Sequence, residues 1–136
     1  MAAPLQVLGA GRFIMGIGAG WRGPEYAAYG YPFPAPAVRI QQLAEAVEIM
    51  RLMWTEPAPT FAGRHFQIAQ AYCEPRPNPP PPIMIGGGGE KLLLPLAGRV
   101  ADLWDRYHGG PLETIDRADY HHQWEMLQSH APAAGR

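Results

Sequence analysis

The chain has 136 residues, 47% of them hydrophobic and 17% charged, which is enough apolar material for one packed domain and too much for a disordered chain. A formal net charge of -1 gives no electrostatic reason to expect nucleic acid or an anionic membrane as a partner, and no apolar run reaches the ~18 residues of a membrane span. The lone cysteine, Cys73, excludes an internal disulfide, and the start Met-Ala-Ala-Pro-Leu-Gln lacks the basic and long apolar stretches of a signal peptide, so a cytoplasmic protein is expected.

Glycine and proline, 16 of each, predict many turns and few long uninterrupted helices. Arg12 to Gly18 is a short apolar run ending in glycine and reads as a strand buried on both faces, as in parallel sheets. Ala19 to Pro36 reads as a long loop, with Pro32, Pro34 and Pro36 forbidding a helix. From Val38 to Trp54 the apolar residues Ile40, Leu43, Ala44, Val47, Met50 and Trp54 recur at spacings of three and four, which predicts a helix that Pro57 stops. Thr60 to Ile68 predicts a small hairpin around Gly63, and Pro75 to Pro82 must be extended. Ile83 to Ile85 predicts a second buried strand, followed at once by Gly86, Gly87, Gly88 and Gly89.

Glu90 to Val100 has helical composition, although Pro95 and Gly98 fall inside it. Ala101 to Trp104 predicts a third strand, Pro111 suits a helix start, and Tyr120, Trp124 and Leu127 share one face of a closing helix. This alternation of strand, loop and helix is the rhythm of parallel α/β folds.

The glycines 86 to 89, between a strand and a helix, stand where backbone N–H groups can receive a phosphate; a flexible turn without a ligand is the other reading. The pattern is neither a P-loop, since Leu92 follows Lys91, nor a dinucleotide fingerprint, whose sixth position falls on Lys91. Gly16, Gly18 and Gly20 alternate ahead of Trp21 and leave one strand face bare, either for a flat ligand or for close packing of backbone. Tyr26, Tyr29, Tyr31 and Phe33 either line a pocket or fasten the long loop. His121 and Glu125 share a helical face but lack a third ligand, so no metal site is expected, and Cys73 reads as a packing residue. No pair of side chains stands at a spacing that assigns a general acid or base, and the catalytic residues stay unknown.

The ordered set GRFIMGIGAGW, YGYPFP, EAVEIMRLMWTEP, FAGRHF, PPPIMIGGGGEK and ADLWD resembles the luciferase-like monooxygenases, and most of all their branch that uses the deazaflavin coenzyme F420. The resemblance runs from about Gly11 to Asp105 and implies an α/β fold: a partial TIM-type (β/α)8 barrel, roughly the middle strands and helices, with residues 55–82 as a hairpin and Pro-rich insertion within a single domain, 1–136. It implies that Gly86, Gly87, Gly88 and Gly89 hold the coenzyme phosphate, that Gly16 lies beneath the flat ring, and that Arg39 contacts the phosphate or ribityl chain. Gly18, Ala19, Gly20, Trp21 and Glu25 would wall the substrate pocket.

The implied function is hydride transfer between F420 and a small organic substrate. FMN in place of F420 is one alternative, and a truncated, non-catalytic fragment that at most binds a phosphate-bearing ligand is another. A whole barrel of this type takes about 250 residues, so the chain is expected to lack much of it, which leaves its status as an enzyme open and its strand edges available for self-association into a homo-oligomer.

Overall fold

The computed structural model describes residues 1–107, 111 and 114–131. Among them a three-stranded parallel sheet of β1 (Met15–Ile17), β4 (Ile83–Gly86) and β5 (Leu103–Asp105) runs in the order β1-β4-β5. Between β1 and β4 the chain forms α2 (Gly23–Ala28), α3 (Pro36–Thr55) and an antiparallel hairpin of β2 (Phe61–Ala62) and β3 (Gln67–Ile68); α4 (Leu93–Val100) links β4 to β5. Before β1 lies α1 (Ala2–Leu8) and after β5 lies α5 (Arg117–Ser129).

One face of the sheet is packed and the other is bare. Ile83 and Ile85 are 0% exposed and join Leu43, Val47 and Trp54 of α3 and Leu93, Leu96 and Ala97 of α4 in one core. Because side chains alternate along a strand, Gly16, Met84 and Leu103, paired across the sheet, look the other way. Gly16 and Leu103 are exposed, so β1 is not buried on both faces as its apolar run suggested. Its glycines remove the side chains that would otherwise need cover on that side.

Several other expectations change for local reasons. The stretch 19–36 contains α2, because its helix-breaking prolines lie downstream and Pro24 stands in the first turn, where the missing N–H has no intrahelical role. The fourth helix begins at Leu93 rather than Glu90, which places Pro95 in the first turn and removes its expected penalty. Gly98 lets α5 approach: a Cβ there would stand 2.4 Å from the Leu127 carbonyl oxygen. The closing helix starts at Arg117, not near Pro111, because the Asp116 side chain accepts from the N–H groups of Ala118 and Asp119. The first helix, α1, carries no side-chain cap and no acidic first turn, the features by which a helix start is read.

At the amino ends of the strands the buried polar groups are tied together. Gln6, 2% exposed, donates from Nε2 to Pro79 O at 3.0 Å and accepts from Phe13 N at 3.0 Å. Asp102 Oδ2 accepts from Ile83 N at 2.9 Å and from Arg51 Nη2 at 3.0 Å, and the same Arg51 nitrogen donates to Val100 O at 2.7 Å. Among the described residues, Arg51 Nε is the buried side-chain atom there without a partner. The hairpin is held to α3 by the Glu45 carboxylate, which accepts from the N–H groups of Arg64, His65 and Phe66, each at 2.9 Å.

Candidate functional site

Parallel strands place their carboxyl ends together, and ligands of such sheets bind beyond those ends. Here a cleft of about 780 Å³ opens there. Gly18, Ala19, Gly20 and Trp21 leave β1 along one wall, Gly86 ends β4 with Gly87 and Gly89 beyond it, and Asp105 ends β5 with Tyr107 beyond it. Pro36, Arg39 and Ile40 of α3 and Leu93 of α4 complete it.

The polyglycine bend forms because Gly87 adopts φ +129, a conformation that side chains resist, and because β5 holds its base. Gly87 N donates to Asp105 O at 2.9 Å, and the Trp104 indole Nε1 donates to Gly87 O at 2.7 Å. Beyond that point Gly89 O accepts from Leu93 N and Leu94 N and starts α4. Among the described residues, no hydrogen bond engages the backbone N–H groups of Gly88, Gly89, Glu90, Lys91 or Leu92. A row of open donors at a helix N-terminus is suited to an oxyanion, through both the donors and the helix dipole.

The structure brings together most, but not all, of the site residues expected from the sequence. Gly86, Gly87, Gly89, Arg39 and Gly18 to Trp21 line the cleft. Gly88 belongs to the same bend but turns toward the side chain of Gln123 on α5. Gly16 lies two residues before Gly18 on the same strand face, below the cleft wall. Glu25 is exposed on the first turn of α2, outside the cleft lining.

Arg39 has a bracing role that sequence did not reveal. Its Nε donates to Ala19 O at 3.2 Å, its Nη1 donates to Pro34 O, and its guanidinium lies 4.0 Å from the Phe33 ring centroid. It therefore clamps the loop between β1 and α3 beside the cleft, and Nη2 is the nitrogen left without a partner among the described residues. Phe33 in turn packs on Tyr26 with centroids 4.8 Å apart and these two fasten the loop, whereas Tyr29 and Tyr31 are exposed, and none of the four lines the cleft. Cys73 packs at the edge of the core.

Pro36, Ile40, Leu93, Asp105 and Tyr107 were missed as cleft residues. For Asp105 a signal existed: the third strand, read as far as Trp104, continues one residue further, and its carboxyl end is where a functional side chain belongs.

The whole chain, residues 1–136, matches the sequence model of the luciferase-like monooxygenases. The chain belongs to that family. The pyrimidine monooxygenase RutA of Acinetobacter baylyi is 34% identical to it over 80 residues, which cover 57% of this chain and 21% of that protein. The F420-dependent glucose-6-phosphate dehydrogenase of Intrasporangium calvum is 41% identical over 75 residues, covering 54% of this chain and 22% of that one. Among solved structures, an F420-dependent secondary alcohol dehydrogenase in complex with an F420-acetone adduct superposes with a TM-score of 0.72 at 26% identity, over 93% of this chain and 38% of the other. The monooxygenase RslO1 from Streptomyces bottropensis shares the fold at a TM-score of 0.75 and 20% identity, over 98% of this chain and 39% of its own. The matched segments thus span about a fifth of these curated relatives, and the chain superposes on under two fifths of the solved enzymes.

This family membership makes the chain part of an oxidoreductase lineage that includes F420-dependent enzymes and monooxygenases. No helix among the described residues is long and apolar enough to cross a membrane, and those residues hold no cluster of His, Cys, Asp or Glu that could bind a metal ion.

Proposed function

We propose that the cleft binds the phosphate-bearing tail of F420 at the polyglycine bend, and that the chain is the coenzyme-binding arc of an F420-dependent oxidoreductase acting on a small organic molecule. The observation that carries this reading is the run of open N–H groups from Gly88 to Leu92 at the carboxyl end of β4, beside a cleft large enough for a flat ring system. The F420-dependent relatives support the choice of coenzyme.

The residues present fit such a group. Gly86 to Gly89 form the bend that holds the phosphate, the donors being the open N–H groups from Gly88 onward, and Arg39 Nη2 reaches toward the phosphate or ribityl chain while the rest of that guanidinium braces the loop. Gly16 and Gly18 form the bare floor beneath the ring, and Ala19, Gly20 and Trp21 wall the substrate pocket, with Glu25 at its outer margin. Bound there, the coenzyme supplies the hydride chemistry, and the protein orients it and excludes water.

In this reading the bare sheet face is the inward face of a TIM-type barrel, of which 1–136 form one domain's middle portion and 55–82 an insertion. The protein would work in the cytoplasm on a small molecule, without nucleic acid or membrane, and its unpaired β1 and β5 edges would favour a homo-oligomer.

FMN is the second reading, favoured by the pyrimidine monooxygenases among the relatives and by a terminal phosphate that the same bend would take. Fluorescence titration of the chain with F420 and with FMN separates the two. Saturable binding of F420 at least ~10-fold tighter than FMN is expected, the reverse order selects FMN, and no binding of either removes the coenzyme reading. Binding without turnover of any alcohol or pyrimidine tested would leave the chain a ligand-binding fragment.

A further inference from the structure

Two glutamines are buried in this protein, and they differ. Gln6 has both ends of its amide bonded. Gln123, 6% exposed, has an Oε1 that is sealed from solvent and, among the described residues, without a donor. Buried polar atoms normally find a partner, so an orphaned acceptor calls for an explanation.

Its surroundings supply one. A Cβ built on Gly88 would stand 3.1 Å from Gln123 Oε1 and 3.5 Å from Nε2, so the amide lies against the bend at the one glycine that faces away from the cleft. The helix that carries it is firmly seated. Gly98 lets α5 close on α4, Tyr120 stacks on Trp104 with centroids 5.4 Å apart, and Trp104 itself holds Gly87 O. An unused acceptor therefore stands against the bend that carries the unused donors, on a helix held in place by α4 and Trp104.

We infer that Gln123 is a positioning residue for the anion site: its Oε1 takes an N–H of the bend as the bend closes on a phosphate, and this aims the neighbouring N–H groups into the cleft. The inference rests on the phosphate reading of the bend. It assigns Gln123 no contact with the ligand, so its effect must be confined to the phosphate.

The test compares each coenzyme with its phosphate-free form: FMN with riboflavin, and F420 with its ribityl deazaflavin chromophore. Replacing Gln123 by Met keeps the volume and deletes the amide. For Q123M we expect the phosphate-bearing partner to bind about 5- to 10-fold more weakly and the phosphate-free partner to bind unchanged within about 2-fold. A merely structural role would weaken both members of a pair alike, and that outcome, or unchanged binding of both, overturns the inference.

Should Q123M fail to fold, Q123L makes the same deletion of the amide with a branched apolar side chain and no added charge. A selective loss of the phosphate-bearing partner supports the inference, and an equal loss of both refutes it. If the wild-type chain binds the two members of each pair equally, the phosphate reading itself fails and Gln123 has no anion to position.

Discussion

At the amino ends of the strands the protein finishes its hydrogen bonds, whereas at the carboxyl ends it leaves them open. Gln6 is bonded at both ends of its amide, and Asp102 collects the Ile83 N–H and an Arg51 nitrogen, with Arg51 Nε the one buried orphan there among the described residues. Around the bend, the N–H groups of Gly88 to Leu92 and the Gln123 oxygen go unused among the described residues, beside a sheet whose one face is well packed. The N–H groups are open to solvent, where a ligand can replace water, whereas the Gln123 oxygen is buried, and a buried acceptor left open carries a cost in stability. The difference teaches where to look for stability and where to look for function in one small sheet.

Substitutions at the two ends should separate those properties. The largest effect is expected from Gly87→Val. Its φ of +129 is hostile to a β-branched residue, and the new Cβ would press on Leu93 Cδ2. Binding of a phosphate-bearing coenzyme should fall by about 100-fold or more, while thermal unfolding stays cooperative. Binding that survives this change would break the comparison from the functional side.

Next comes Asp102→Ala at the other end, which orphans the N–H of the fully buried Ile83 and should cost about 1–3 kcal/mol in denaturant unfolding. The accompanying ion pair with Arg51 is about one third exposed on each side and adds little. Coenzyme affinity measured on the folded variant should not change. A variant that keeps its stability but loses affinity would invert the roles of the two ends.

The smallest effect concerns the hairpin, which belongs to neither end. Partial desolvation pushes the Glu45 carboxyl upward, but the backbone N–H groups of His65, Phe66 and Arg64 and the nearby His65 charge outweigh it, and it titrates below its ordinary value of 4.5. A carboxyl lowered in the folded state stabilises the fold above its unfolded pKa, and that contribution is lost as the pH falls through the folded value. Acidification below about pH 4.5 should therefore lower the protection factors of the Arg64, His65 and Phe66 amides, exchange being corrected for its intrinsic pH dependence, before those of the sheet. Glu45→Gln should make these protection factors independent of pH; protection that still falls on acidification in this variant would assign the anchor to another group.

Sequence made the sheet, the long helix and the bend visible because each rests on local pattern. Three-and-four spacing marks α3, short apolar runs mark β1 and β4, and four adjacent glycines have few uses other than a tight backbone passage. Elements without such a pattern were lost. The α2 helix hides among prolines that lie mostly beyond it, and α1 starts without a cap. The site was legible only where one segment builds it. Asp105 and Tyr107 reach the cleft through the pairing of β5 with β4, and Gln123 reaches the bend through the docking of α5 on Gly98, which are long-range contacts that no local spacing encodes. Arg39 was found by resemblance, but its bonds to Ala19 O and Pro34 O became visible only once the loop was folded back on its helix.

The most direct test of the central claim is a ¹H–¹⁵N spectrum of the chain recorded while F420 or FMN is added. If the carboxyl end is a phosphate cradle, the amide signals of Gly88, Gly89, Glu90, Lys91 and Leu92 move with saturation, those of Phe13 and Ile83 at the amino end stay in place, and the phosphate-free analogues leave the bend signals where they were. Shifts confined to the amino end, or bend signals that respond equally with and without the phosphate, would contradict it.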